Sequence, residues 1–278
     1  TRNQSRPLRE MAQVAREFGH GNLTARVHTD ESYTQEVEDL ALAFKNMAPS
    51  LQKSEYQRQE FVANVSHELK TPLTVIITTA ELLNSPECPT EDRQGLTENI
   101  ITMSGQMRGL VESLLQLARI DAGRIVGAVE PLSLSELTQD AILSFEPVFF
   151  ERGLQLEAEI APDIRVKGNR EQLRQLVDVL LDNAQKYSAP GGTTHICLYQ
   201  SRHNACVLSV ANPGAPLSDQ EQKDIFKRFY RADKARAMNH SYGLGLSIAQ
   251  STVQEYHGKI WAESRDGYNY FLAELPTI

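Results

Sequence analysis

The sequence lacks several features that define common classes of protein. No apolar run reaches the roughly 18 residues that a membrane-spanning helix needs, and no secretory signal pattern is visible. The cysteines Cys88, Cys197 and Cys206 do not have the spacing of a metal site. An odd number of cysteines also does not suit a disulfide framework, so we expect a reducing compartment. The first residue is Thr1 rather than Met, and we expect a fragment of a longer chain.

Positive charge is also scarce in this sequence. Its 28 Lys and Arg residues are outnumbered by 36 Asp and Glu residues, which gives a net charge of -8. Nucleic-acid binding needs clustered Lys and Arg, so we expect no nucleic-acid partner. The 278 residues, 41% of them hydrophobic, are enough for two or three globular domains.

Residues 1–52 have the pattern of two amphipathic helices around an irregular connector, and Gly19 and Gly21 end the first helix. Two short apolar seams in one chain favour a coiled-coil dimer of four helices. The alternative is an ordinary helical hairpin that packs on its own domain. The seams consist of apolar residues three or four positions apart: Leu8, Met11, Ala15 and Phe18, then Val37, Leu40, Phe44, Met47 and Leu51.

Residues 53–123 have the pattern of a long helical hairpin, with a break at Asn84-Ser85-Pro86 and Pro89. Two such arms bury little apolar surface alone, so we expect a dimeric four-helix bundle. The heptad of the first arm places His67 at a solvent-facing position. The seam of the first arm contains Val62, Val65, Leu69, Pro72, Ile76, Thr79 and Leu83. That of the second contains Leu96, Ile100, Met103, Met107, Leu110, Leu114 and Leu117.

Residues 129–278 alternate between helix and strand signals. Ser133 with Glu136 has the form of a capping box that opens a helix. Amphipathic helices are predicted at 172–187 and 246–256, and strands at 154–160, 194–200, 206–210, 260–263 and 270–275. Asp266-Gly267 is a hairpin turn signal. The sequence therefore predicts a multidomain chain: an all-α dimer followed by an α+β sandwich with helices on one face of a mixed sheet.

The exposed His67 lies in the segment FVANVSHELKTPL, residues 61–73. A surface histidine without a role is the better interpretation for a histidine seen alone. Neutral imidazole, however, is a usable nucleophile near neutral pH, and Glu68 can hold its tautomer. Thr71 is four residues further on and shares a helix face with His67. The segment closely resembles the H box of bacterial sensor histidine kinases. The resemblance implies that His67 is phosphorylated and that Glu68 and Thr71 also support phosphatase activity.

The first 52 residues resemble a HAMP linker. The similarity lies in Pro7-Leu8, in the connector sequence GNLTAR at 21–26, and in Glu36 before the second helix. HAMP linkers follow a transmembrane helix. The resemblance therefore implies a protein anchored in the membrane upstream of Thr1, with this part on the cytoplasmic face.

The sequence DNAQKYS at 182–188 resembles the N box of the ATP-binding domain of these kinases. The resemblance assigns Mg²⁺ to Asn183, whose amide oxygen is a hard ligand. Lys186 can contact phosphate as a point charge, and Tyr187 shares a helix face with Asn183. The family's second Asn, four residues before the Mg²⁺ ligand, is replaced by Val179. A solvated polar face is the alternative for this segment alone.

Three further segments resemble the remaining boxes of that domain. Asn212 and Gly214 correspond to the adenine-binding G1 box, where Asn212 replaces an Asp and keeps an acceptor oxygen without its charge. The F box, residues 224–231, provides Arg231, and with Arg236 it offers candidates for phosphate contact. The G2 box precedes a helix whose N-terminus favours anions. It comprises Tyr242 and the predicted nucleotide contacts Gly243, Leu244, Gly245 and Leu246.

Each motif alone could be a structural feature without a catalytic role, but their order, from H box to G2 box over residues 61–246, favours a kinase. The resemblance implies an ATP-dependent histidine kinase with ATP and Mg²⁺ at residues 129–278, acting as a homodimer. The partner it implies is the receiver domain of a response regulator, which accepts the phosphoryl group on an aspartate. Asn212 and Val179 keep open a phosphatase-biased or inactive scaffold. A generic ATPase of the same nucleotide fold is the other alternative, although it needs no exposed acceptor histidine.

Overall fold

A computed structural model describes residues 5–20, 22, 35–122, 128–201, 204–232 and 242–278 of the chain. It divides into two compact units, Thr1–Lys70 and Thr71–Ile278. Most of the connector at 21–26 and Arg236 lie outside the described residues. No helix in the described ranges combines the length and apolarity that crossing a membrane requires.

The first unit contains α1 (Ser5–Gly19) and the N-terminal part of α2 (Gln35–Asn84). Met11 of α1 is buried against Ala41, Phe44 packs beside them, and the Phe18 and Phe44 rings lie 6.5 Å apart. The contact within the chain thus joins Met11 and Phe44 of the predicted seam to the small Ala41. Four other large residues of that seam are exposed: Leu8, Leu40, Met47 and Leu51 are 49%, 41%, 44% and 39% exposed.

The second unit begins with the rest of α2 and continues with α3 (Arg93–Asp121). The predicted seam of the second arm is confirmed by its burial. Leu110 and Leu117 are fully buried, and the other five seam residues are half-buried. Large apolar side chains off the seam, such as Ile101 and Leu115, are exposed. The helix is therefore amphipathic with the predicted period.

The sandwich that follows has seven strands and four helices in its described residues. A five-stranded sheet has the order β2-β4-β5-β7-β6, and only the β2–β4 pair is parallel. The predicted mixed sheet is thus confirmed. In chain order the elements are β1 (Glu130–Ser133), α4 (Leu134–Glu151), β2 (Gln155–Ile160), β3 (Arg165–Gly168), α5 (Arg170–Tyr187), β4 (Thr193–Gln200), β5 (Ala205–Pro213), α6 (Asp219–Asp224), α7 (Gly245–Glu255), β6 (Lys259–Arg265) and β7 (Tyr268–Pro276).

The core of the sandwich lies between the sheet and α4, α5 and α7. Phe149, Leu180 and Leu208 are among its fully buried side chains. Cys206 is also buried in β5, and this burial raises the pKa of its thiol to about 11. At neutral pH the thiol is therefore protonated and acts as a small apolar core residue.

Local signals account for several ends of these elements. The Ser133 side chain accepts a hydrogen bond from the Glu136 backbone N–H, as predicted for the start of α4. Asp266 and Gly267, with φ of 53° and 79°, form the predicted turn between β6 and β7. The small β1–β3 sheet and α6 were not predicted. β3 reads Arg-Val-Lys-Gly with a single buried apolar side chain, and α6 has no buried residue.

The end of α3 is bonded to the sandwich. The Arg228 guanidinium donates to both carboxylate oxygens of Asp121, at 2.6 and 2.9 Å, and the Gln116 and Gln175 side chains are hydrogen-bonded to each other. Such exposed ion pairs contribute only about 0–1 kcal/mol each. They orient α3 against the sandwich more than they stabilise it.

Candidate functional site

A cavity in the described part of the second unit has a volume of about 680 Å³ and opens beside α5, the end of β5 and the start of α7. It gathers residues that are far apart in the sequence. Of the predicted nucleotide contacts that the structure describes, all except Leu244 line it. The predicted residues at the cavity are Asn183, Lys186, Tyr187, Asn212, Gly214, Arg231, Gly243, Gly245 and Leu246.

One wall of the cavity is the last two turns of α5. Asn183 lies on this wall, and its buried Nδ2 has no hydrogen-bond partner among the described residues. The Lys186 ammonium lies 2.5 Å from Asp182 Oδ2. Val179 also lines this wall. It packs at Gly245, where an added Cβ would lie 3.3 Å from Val179 Cγ1.

The end of β5 forms the floor of the cavity. Asn212 is only 1% exposed, and neither its Oδ1 nor its Nδ2 has a hydrogen-bond partner in the described ranges. A Cβ on Gly214 would lie 3.2 Å from the Tyr187 carbonyl oxygen. The chain therefore turns closely past α5 at Gly214, and a side chain there would narrow the floor.

The third wall is the segment that leads into α7. Gly243 has a φ of +68°, and Gly245 opens the helix. Among the described residues no side chain caps the first turn of α7, and the N-terminus of a helix favours an anion. Leu244 does not line the cavity. Its side chain is 3% exposed, and its carbonyl accepts a hydrogen bond from Ser247 Oγ at 2.8 Å.

Replacing Gly243 with Ala is expected to distort this wall. The positive φ disfavours any L side chain, and the new Cβ would lie 2.5 Å from the Tyr230 carbonyl oxygen. We expect nucleotide affinity to fall by about tenfold or more and the free energy of unfolding to fall by ~1–3 kcal/mol. Calorimetric titration with ATP and urea unfolding measure the two effects.

Gly153→Ala is the matched control, because Gly153 has a φ of +66° but its added Cβ would meet nothing within 4 Å. We expect a loss of ~1 kcal/mol in stability with nucleotide affinity unchanged. If the two variants lost ATP affinity equally, the close packing of Gly243 against the Tyr230 carbonyl oxygen would not be what shapes this wall.

Several lining residues were not predicted, among them Arg152, Gln185, Asn269 and Phe271. The Arg152 guanidinium donates to the Gln185 carbonyl oxygen at 3.3 Å, so it joins the end of α4 to α5. Asn269 is the partner of Asn212 across the β5–β7 ladder. Phe271 is two residues further on, and strand alternation places it on the same face as Asn269. The β5–β7 pairing that brings both to the cavity joins strands that are not consecutive in the chain, so no turn signal could have found them.

The candidate phosphoacceptor lies in the first unit, on α2. The side chain of His67 is 80% exposed, which confirms its predicted solvent-facing position. Its Nδ1 lies 3.8 Å from Glu68 Oε1, and the Glu68 side chain is 32% exposed. Thr71 is exposed and follows four residues later along the same helix. The imidazole is thus accessible, and a carboxylate lies within ion-pair distance of one ring nitrogen.

Three family models match the chain. The HAMP domain matches residues 1–53, and the His Kinase A (phospho-acceptor) domain matches residues 57–123. The model for the histidine kinase-, DNA gyrase B- and HSP90-like ATPase matches residues 168–277. The second match contains His67, and the third contains the residues predicted to contact nucleotide.

Curated sensor proteins are similar to this chain. Sensor protein DltS of Streptococcus agalactiae (serotype V) is 33% identical over 220 residues, which are 79% of this chain and 54% of that protein. Heme sensor protein HssS of Staphylococcus aureus (strain MSSA476) is 31% identical over 275 residues, 98% of this chain and 58% of that protein. The chain thus spans a little over half the length of these relatives.

Solved structures share the fold. The histidine kinase AdeS of Acinetobacter baumannii aligns with a TM-score of 0.61 at 20% identity, covering 76% of this chain and 97% of that one. The histidine kinase ThkA, solved in complex with the response regulator protein TrrA, aligns with a TM-score of 0.59 at 22% identity. That alignment covers 82% of this chain and 66% of the other. At these identities the likeness establishes the fold.

Proposed function

Because the chain belongs to the sensor histidine kinase family, we propose that it transfers the γ-phosphoryl group of ATP to His67 and then to an aspartate of a response regulator. The observation that carries the proposal is the convergence of the predicted nucleotide contacts on one cavity, in a chain that also exposes His67. The proposed domains are a HAMP linker at 1–52, a dimerisation and phosphotransfer hairpin at 53–123, and an ATP-binding domain at 129–278.

In the cavity, the residues fit a nucleoside triphosphate with its metal. Mg²⁺, when bound, neutralises phosphate charge during transfer. Asn183 holds the metal through its amide oxygen, while Lys186 and Arg231 contact the phosphates. Gly243 and Gly245 let the phosphates approach the N-terminus of α7, whose N–H groups favour negative charge. Asn212 meets the purine base.

At the phosphoacceptor site, the side chains of His67 and Glu68 have different roles. The Glu68 carboxylate lies on the Nδ1 side of the ring, so it holds the proton there and leaves Nε2 as the nucleophile. A bond forms between Nε2 and the γ-phosphorus as the bond to the leaving ADP oxygen breaks. In the proposed phosphatase reaction, the Thr71 hydroxyl and the Glu68 carboxylate orient a water molecule. This water hydrolyses the phosphate from the regulator.

The exposed apolar seam in the first unit supports a homodimer. Leu40, Met47 and Leu51 lie along one side of α2 and are 39–44% exposed. A second copy of the chain that covers them completes a four-helix packing. Because a HAMP domain model matches part of the chain, we also propose a membrane anchor upstream of Thr1, with this part on the cytoplasmic side.

Incubation with γ-labelled ATP and Mg²⁺ tests the function. We expect label on the chain that is lost in acid and retained in alkali, as for a phosphohistidine, and that moves to a cognate receiver domain. Tight ATP binding without label, together with dephosphorylation of a phosphorylated regulator, would favour the scaffold that Asn212 and Val179 leave open. Steady ATP hydrolysis without label would favour a generic ATPase.

A further inference from the structure

The floor of the cavity contains a neutral amide with no partner. Asn212 is 1% exposed, it lines the cavity, and both its Oδ1 and its Nδ2 are buried without a hydrogen-bond partner among the described residues. A buried unpaired donor or acceptor costs about 1–3 kcal/mol. A ligand that satisfies both atoms regains that free energy, so the amide is placed to recognise a group with one donor and one acceptor.

Other polar side chains at or beside the cavity are already paired with other groups. Asn269 Nδ2 donates to the Ala215 carbonyl at 3.0 Å, and Asn269 Oδ1 accepts from Ser264 Oγ at 2.5 Å. The Ser188 and Thr194 hydroxyls lie 3.1 Å apart and pair with each other. None of these contacts decides which end of the Asn212 amide faces a ligand. Rotation of the amide by 180° exchanges its donor and its acceptor.

Because the amide can present its donor and its acceptor in either order, it can pair with more than one kind of purine edge. Adenine presents an amino donor at position 6 beside the N1 acceptor, whereas a 6-oxopurine presents a carbonyl acceptor beside an N1–H donor. One orientation of the amide complements the first edge, and the reversed orientation complements the second. A carboxylate at the same position could accept from the 6-amino group, but it would repel a 6-oxo oxygen.

We propose that Asn212 makes the cavity tolerant at position 6 of the purine, so that 6-oxopurine nucleoside triphosphates bind about as well as ATP. This inference rests on the proposed nucleotide function and adds the base specificity to it. ITP is the sharpest probe, because it differs from ATP only at position 6 and N1. The chain thus accepts two classes of phosphoryl donor at one site.

Calorimetric titration of the full chain with ATP and with ITP, both in the presence of Mg²⁺, tests the inference. We expect the two dissociation constants to agree within about fivefold. In Asn212→Asp, ITP affinity should fall relative to ATP affinity by about 100-fold or more, because an acceptor meets an acceptor. Asn99→Asp, the same change at an exposed position of α3, should leave the ratio unchanged.

The ratio of the ITP and ATP dissociation constants in the wild type tests the inference even if Asn212→Asp fails to fold. ATP bound about 100-fold more tightly than ITP would overturn the inference and leave the proposed nucleotide site intact. Binding of neither nucleotide would overturn the nucleotide function itself. Asn212→Ala removes donor and acceptor together, and we expect it to weaken both nucleotides equally. A selective loss of ATP in that variant would contradict the ambivalent role.

Discussion

Replacing His67 with Gln is expected to reduce acid-labile phosphorylation of the chain to background, a loss of at least about a thousandfold. The glutamine amide is polar and similar in reach, but its nitrogen is not nucleophilic. His67 is an exposed residue of α2 and is not among the residues that line the nucleotide cavity, so ATP affinity should stay within about twofold. Labelling with γ-labelled ATP and calorimetric titration with ATP separate the two effects.

His20→Gln is the matched control for this variant. His20 is also exposed, and it follows the end of α1. We expect its labelling to equal that of the wild type. Acid-labile label that persists in His67→Gln would show that another residue accepts the phosphoryl group, and the assignment of His67 would then be wrong.

Helices were the most predictable part of the fold, because their burial period is local. The spacing of Leu110 and Leu117 in α3 identified the face that the structure buries. The helix at 172–187 and the hairpin turn at Asp266 were likewise predicted from neighbouring residues. Each of these elements carries its own signal in a short window, so a sequence is sufficient to place it.

Contacts between distant elements could not be predicted in this way. The hairpin in the first unit closes on Ala41 and Ala48, which are small, and not on the larger seam residues Leu40 and Met47. Helix α2 also runs from Gln35 to Asn84 without interruption, so the proposed domain boundary at residue 52 lies inside a continuous helix. Burial by a neighbouring helix depends on where that helix lies, and periodicity alone does not specify it.

Some residues of the cavity could be predicted from sequence motifs, and others could not. Asn183 and Asn212 were identified from their motifs, whereas Asn269 and Arg152 line the cavity through strand register and helix packing. Leu244 belongs to a motif but turns its side chain into the interior. A motif therefore predicts which segment lies at the site, and the fold decides which of its side chains reach it.

Replacing Asn183 with Ala is expected to lower Mg²⁺-dependent ATP affinity by at least about tenfold, since even outer-shell partners of a metal contribute that much. Without the amide oxygen, the metal loses its proposed protein ligand. Because the buried Nδ2 of Asn183 has no partner in the described part of the chain, the change removes no hydrogen bond there. The free energy of unfolding should therefore change by less than about 1 kcal/mol.

Titration with ATP in Mg²⁺ and in EDTA distinguishes a lost metal ligand from a damaged cavity. For a lost ligand, the variant and the wild type bind equally weakly in EDTA and differ only when Mg²⁺ is present. Asn99→Ala, at an exposed position of the α3 helix, should behave as the wild type in both buffers. An equal loss of affinity in both buffers would instead assign Asn183 to the shape of the cavity, and the metal would then need another ligand.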